Sequence, residues 1–312
     1  MRIKIISILS ALLVIGCTGC GRSQRWRTAT LLYFDTICEL RVYCLPEQFP
    51  GIKTDVQDVF SRIEELFSPS STVLDHPDVL NLFQRALDIY RLSEGTFDIT
   101  VGPLSDLWGF QTKEHRVPEK KEILSVLETI GMNRTFFSNE GIRLPSGMRL
   151  DWGGIAKGYG IDGAVKKIRE RGISRGFINA GGDLYCWGKN PENQSWRVGI
   201  QHPRRAGYLA VLPLSDEGAA TTGDYQRYFI QSGVRYHHVF DPATGYPAGG
   251  KQSVTVYGPE TLICDALSTA LFVSVEPEKI LSHFKDYGAV LVDERGQIQT
   301  IGKPISIQYA NR

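Results

Sequence analysis

The texture of the chain changes at Phe177, and that change restricts the folds open to it. Before it, Ile52, Val56, Val59, Phe60, Ile63, Leu66 and Phe67 recur at helical spacing, and Pro69 closes the stripe. Val79 to Leu92 reads as a second helix with Asp78 close to its start, and Pro118–Glu119 opens a third that ends near Gly131. Thr30 to Tyr43 alternates in places and reads as one strand. After Phe177 the apolar runs are short: Phe177–Ile178, Val198–Ile200, Leu209–Leu212, Tyr228–Ile230 and Val254–Tyr257, separated by Gly, Asp, Asn and Pro. This spacing predicts antiparallel sheet. Leu262 to Val275 and Pro277 to Tyr287 read as late helices, and Ala289 to Val292 as a strand. Helices early, sheet in the middle and helices late predict an α+β architecture.

A chain of 312 residues with 42% hydrophobic content can bury a sizeable core, as one large domain or two fused lobes. Lys+Arg is 35 against Asp+Glu 34, a balance that excludes wholesale nucleic-acid binding. The N-terminus predicts export. Arg2 and Lys4 supply a positive start, and Ile5 to Ile15 is apolar but too short to span a bilayer comfortably. Val14-Ile15-Gly16-Cys17 looks like a bacterial lipobox, with Cys17 the residue to be acylated and Cys20 a poorer match. An ordinary cleaved signal peptide is the alternative. Residues 1–16 are therefore read as signal peptide, 17–29 as tether and 30–312 as the folded domain. Cys38, Cys44, Cys186 and Cys264 have no metal-ligand spacing. Cys38 and Cys44 lie an even number apart and face one side of their strand; disulfides and buried thiols both remain open.

Five segments are denser in Gly, Asp, Thr and aromatics than folding alone requires: Glu94 to Leu104, Asp151 to Gly160, Asn179 to Asp183, Ala220 to Tyr225 continuing at His237 to Pro247, and Cys264 to Leu271. In the second, Gly153-Gly154 precede a pattern that turns helical near Ile155. That predicts free backbone N–H groups at a helix N-terminus, a setting that favours phosphate. Lys157 falls in the first turn, where the helix dipole does not reward a cation and a facing polyanion would. A tight turn with a solvated Lys is the plain alternative. Asp265 and Thr269 are four apart on a helix and share a face; carboxylate plus hydroxyl suits Mg²⁺. An Asp at a helix start with Thr in the core explains the same pair. His237 and His238 are adjacent, so on a strand they face opposite sides and at most one serves a given site. No further His or Cys completes a zinc pattern.

In this order, the Asp-x-Gly-Gly-Ile-Ala-Lys-Gly-Tyr run from Asp151, the Asn179-Ala-Gly-Gly-Asp turn, the Thr222-Gly-Asp-Tyr turn, the His238-x-x-Asp-Pro-x-Thr-Gly-Tyr-Pro run and the Asp265-Ala-Leu-x-Thr-Ala-Leu helix resemble the ApbE family of FAD:protein FMN transferases. The resemblance runs from Phe34-Asp35-Thr36 to the Asp265 helix. It implies a two-lobed α+β fold, largely antiparallel sheet with flanking helices, and an FAD cleft between the lobes. It implies Mg²⁺-dependent transfer of FMN from FAD to a Ser or Thr hydroxyl of client proteins, membrane redox subunits among them, with release of AMP. Asp151 and Lys157 match FAD contacts, as do Thr96, Phe97 and Asp98; Phe34 sits where many members carry Met, and Val239 lies in the run lining the cleft. The Gly154 carbonyl, the Asp265 carboxylate and the Thr269 hydroxyl match the Mg²⁺ cradle. Many members are exported lipoproteins, which agrees with Cys17 and a periplasmic, lipid-anchored location. One departure stands out: members usually carry a Tyr after the first long helix, and Phe67 to Asp75 has none. His238 is favoured as the base for the acceptor hydroxyl, since an unperturbed imidazole titrates near working pH; His237 and an Asp remain open. FAD hydrolysis to FMN and AMP, and a non-enzymatic FAD- or solute-binding lipoprotein, are the rival readings.

Overall fold

The computed structural model describes residues 23–112 and 114–309. Cys17 and the stretch read as signal peptide, residues 1–16, lie outside the described residues. In chain order the elements are β1 (Arg25–Tyr33), β2 (Thr36–Cys44), α1 (Phe49–Phe67), α2 (Pro77–Leu92), α3 (Gly102–Leu107), α4 (Lys120–Leu127), β3 (Phe136–Ser138), β4 (Gly141–Arg143) and α5 (Ala156–Glu170). They continue with β5 (Gly176–Ala180), β6 (Asp183–Trp187), β7 (Trp196–Gln201), β8 (Tyr208–Leu214), β9 (Glu217–Gly223), β10 (Tyr228–Gln231), β11 (Val234–His237), β12 (Lys251–Gly258), α6 (Thr261–Val273), α7 (Pro277–Leu281), β13 (Gly288–Asp293), β14 (Ile298–Gly302) and β15 (Gln308–Tyr309).

Eight strands form one sheet in the order β1-β2-β5-β6-β9-β12-β13-β14, and every neighbouring pair is antiparallel. The predicted α+β class with largely antiparallel sheet is what the chain adopts. Residue alternation decides what covers each face. On β12, Val254 and Val256 join the main core with α1, α5 and α6, while Tyr257 joins a second core with Trp196, Leu212 and Leu214 of β7 and β8. A third, smaller core gathers Leu104, Trp108, Phe110, Ile123 and Phe240. The seven apolar positions predicted for the first helix are all buried on α1.

The elements differ from the sequence reading at several points. The segment read as one strand from Thr30 to Tyr43 is a hairpin, β1 and β2, turning at Phe34 and Asp35 with φ of 56° and 54°. A two-residue loop with both φ positive normally carries Asn or Gly, so Phe-Asp gave no turn signal; the Glu64 carboxylate accepts the Phe34 N–H and holds it. The strand also begins at Arg25, inside the stretch assigned to the tether. α3 was not foreseen, and the last predicted helix stops at Leu281 rather than Tyr287.

Candidate active site

α5 and α6 cross at Gly158, and their crossing builds the site. A Cβ on Gly158 would lie 2.6 Å from the Thr261 carbonyl oxygen and 2.7 Å from Leu262 Cα, so only glycine permits this approach. One turn along α5, the Asp162 carboxylate accepts the N–H groups of Thr261 and Leu262, each at 2.9 Å, and so caps α6. The Gly158 N–H donates to Asp265 Oδ2 at 3.1 Å. Asp265 is thus carried by α6 and aimed by α5.

Lys157 lies at the centre. Its Nζ is 2.8 Å from Asp183 Oδ2 and 3.9 Å from Asp265 Oδ2, and it donates to the Gly153 carbonyl at 3.3 Å. Asp183 begins β6 after the turn made by Gly181 and Gly182, which have φ of 64° and 107°. Both carboxylates are 4% exposed. One ammonium therefore serves two buried carboxylates. Burial opposes the Lys157 charge, but Asp183 and Asp265 outweigh it and hold the ammonium above its ordinary range. Burial pushes Asp265 up to about 7, with Lys157 pulling down and Asp183 pushing up. Lys157 stays charged and belongs chiefly to Asp183; Asp265 is the carboxylate left short of positive charge.

Thr269 follows Asp265 by one turn. Its Oγ1 is 3.2 Å from Thr222 Oγ1, which is 2.7 Å from Ser268 Oγ. A Cβ on Gly154 would sit 3.1 Å from Thr269 Oγ1 and 3.4 Å from Phe97 Cε2. Gly154, Asp265 and Thr269, predicted as a metal cradle, thus lie together. Their donors are hard oxygens, and Asp265 shares the Lys157 ammonium with Asp183, so the residues suit Mg²⁺. Among the described residues no group of three or more His, Cys, Asp or Glu is arranged to hold a metal; Mg²⁺ commonly takes only one or two carboxylates and completes its shell with water and phosphate oxygens.

The expected row of free N–H groups is shorter than predicted. Asp151 Oδ1 accepts the Gly153 N–H at 2.9 Å, and the Trp152 carbonyl takes those of Ile155 and Ala156 at 3.1 and 2.9 Å. Among the described residues, the Gly154 N–H of this turn makes no hydrogen bond. The other Asp151 oxygen accepts Ser105 Oγ at 2.9 Å, so this carboxylate shapes the turn. Asp98 is committed elsewhere too: it accepts Thr100 N at 2.8 Å, Thr100 Oγ1 at 2.6 Å and Met132 N at 3.3 Å. Thr96 Oγ1 donates to the Ser93 carbonyl. Phe97, 2% exposed, backs Gly154. Phe34 packs edge-on against Phe60 at 5.0 Å, and a Cβ on Gly160 of α5 would lie 3.4 Å from its ring.

The two histidines separate cleanly. Both ring nitrogens of His237 are used, Nε2 with the Ala248 carbonyl at 2.9 Å and Nδ1 accepting the Val239 N–H at 3.3 Å. Val239 is buried beside it. His238 engages the Arg227 carbonyl through Nδ1 at 3.2 Å, and among the described residues its Nε2 makes no hydrogen bond. Burial, helped by Arg227, pushes His238 down to about 4, and the Asp151 charge opposes this. Sequence reasoning gave no role to Asp183, Thr222, Ser105 or Asp162. The first two lay in segments already notable for composition; Ser105 and Asp162 had no signal, because their partners are remote in the chain. A cavity of about 490 Å³ lined by Leu281, Phe284, Tyr287 and Gly302 among others shares no residue with this cluster.

Residues 34–291 match the ApbE family model. A relative from Haemophilus influenzae, named FAD:protein FMN transferase, is 32% identical over 70% of this chain and 67% of its own length. Relatives of the same name from Escherichia coli and Treponema pallidum are 34% and 27% identical, over 62% and 82% of this chain and 58% and 81% of theirs. The chain thus aligns with under two thirds of the E. coli relative. The crystal structure of the ApbE protein from Thermotoga maritima superposes with a TM-score of 0.81 at 31% identity, covering 89% of this chain and 97% of that one. A flavin transferase ApbE from Vibrio cholerae shares the fold at 22% identity, with a TM-score of 0.79 over 89% of this chain and 96% of that one.

Proposed function

Because the chain belongs to the ApbE family, we propose that it is an FAD:protein FMN transferase that joins FMN to a Ser or Thr hydroxyl of client proteins and releases AMP. The observation that carries this reading is the buried cluster of Lys157, Asp183 and Asp265 beside the Gly153–Gly154 turn. It couples an ammonium able to meet a diphosphate with a carboxylate short of positive charge. Gly154, Asp265 and Thr269 would hold Mg²⁺, which when bound polarises the diphosphate and offsets charge on the leaving phosphate.

Phosphoryl transfer asks the protein mainly for position and fixed charge. Lys157 and the Gly154 N–H hold the diphosphate. Phe34 and Val239 supply apolar surface for the flavin or adenine. His238, held at Nδ1 by Arg227, takes the acceptor's proton at Nε2 as the hydroxyl oxygen bonds to the FMN-side phosphorus. The bond from that phosphorus to the AMP oxygen breaks, and AMP departs. The lowered pKa keeps His238 neutral with Nε2 open to a proton, but makes it a weaker base than the unperturbed imidazole expected from the sequence.

The N-terminal sequence supports export and acylation at Cys17, which would hold the enzyme on the periplasmic face of a bacterial membrane, near membrane redox subunits as clients. The deciding experiment is mass spectrometry of a Ser/Thr-bearing acceptor after incubation with enzyme, FAD and Mg²⁺. A mass gain of one FMN on the acceptor, lost with EDTA, is expected. Free FMN and AMP with an unmodified acceptor would replace transfer by hydrolysis, and intact FAD would refute both.

A further inference from the structure

We infer that Lys157 and Asp183 form an internal counterion pair that tunes the affinity of the Asp265 site for a divalent cation: Lys157 occupies its margin when metal is absent, and Asp183 draws the ammonium aside. This rests on the reading of Asp265 as a metal ligand.

Three observations support it. The ammonium is shared unequally, 2.8 Å from Asp183 and 3.9 Å from Asp265. Both carboxylates are buried, so the charges act through protein rather than water and a single charge alters cation affinity strongly. And the Asp183 carboxylate is held chiefly through Lys157, its Oδ2 2.8 Å from the ammonium, with no N–H or hydroxyl bonding to it among the described residues. By contrast Asp265 is fixed by the Gly158 N–H. Lys157 can therefore turn from Asp265 toward the diphosphate without disturbing the position of Asp265. Asp183 is then a positioning residue acting through Lys157.

The test measures Mg²⁺ binding calorimetrically on the full protein without FAD, with thermal unfolding in EDTA to confirm folding. K157Q should bind Mg²⁺ on the order of tenfold more tightly, because a competing cation is gone. D183N should bind on the order of tenfold more weakly, because Lys157 turns fully to Asp265. In the double variant the D183N loss should shrink to about threefold or less. K157M replaces K157Q if the latter fails to fold. Equal or weaker binding by K157Q overturns the inference. So does an undiminished D183N loss in the double variant, which would make Asp183 a direct ligand. Wild type that binds no Mg²⁺ sinks the metal reading and this inference together; wild-type binding that ignores Lys157 sinks the inference alone.

Discussion

Asp98 and Asp265 are both buried aspartates, 7% and 4% exposed, in segments rich in apolar residues with Thr close by. The turn around Asp98 gives its carboxylate three neutral donors, two from Thr100 and one from Met132, which partly offset the upward push of burial. At the α5–α6 crossing, Asp265 receives one N–H, from Gly158, and an ammonium that sits closer to Asp183. A carboxylate saturated by neutral donors organises its own backbone. One that shares a cation with a second carboxylate retains attraction for another cation. What separates them is the kind of partner: neutral donors from Thr100 and Met132 for Asp98, and a shared ammonium with one N–H from another helix for Asp265.

The comparison makes predictions of graded size. Asp265→Asn should abolish Mg²⁺-dependent turnover, a loss on the order of a thousandfold, while leaving the melting temperature of the metal-free protein nearly unchanged. Asp98→Ala should do the reverse. If Asp98→Ala removed Mg²⁺ binding with the fold intact, the contrast would collapse. Next in size, His238→Ala should lower kcat by about a hundredfold with FAD saturating. His237→Ala should mainly reduce stability, since both its ring nitrogens serve backbone groups. Rapid-quench rates beside denaturant titrations separate the two. Gly158→Ala should cost about 3 kcal/mol or more in urea unfolding, because its Cβ meets backbone rather than a movable side chain. Asp98→Ala should cost about 2 kcal/mol, from the donors it strands.

The smallest effect is in pH. With His238 pushed down to about 4, protonation disables it only as pH falls through that value. The kcat/KM profile should therefore stay flat from about pH 7 to 5 on account of this group. An acid limb centred near 6.5, the ordinary imidazole value, that disappeared in His238→Gln would show the ring to be in water.

Much of the fold was legible because its signals are local. The stripe from Ile52 to Phe67 gave α1 its buried face, and the short runs after Phe177 gave the antiparallel sheet. The β1–β2 turn was not legible, since Phe34 and Asp35 carry no turn signal and the Glu64 carboxylate that accepts the Phe34 N–H lies far along the chain, on α1. The same division runs through the site. Asp265 and Thr269 were visible as a helical pair, and Lys157 as a cation misplaced for the helix dipole. That most N–H groups of the Gly153–Gly154 turn would be taken by Asp151 and Trp152 was not visible.

By itself the sequence determined which residues could carry chemistry, because residue type and spacing set what a side chain can donate, accept or charge. The tertiary structure decided which of them share an environment. Lys157, Asp183 and Asp265 come from α5, β6 and α6, and Gly158 lets the two helices approach closely enough to set Lys157 beside Asp265. Electrostatic coupling depends on distance and burial, and neither is a property of a residue alone.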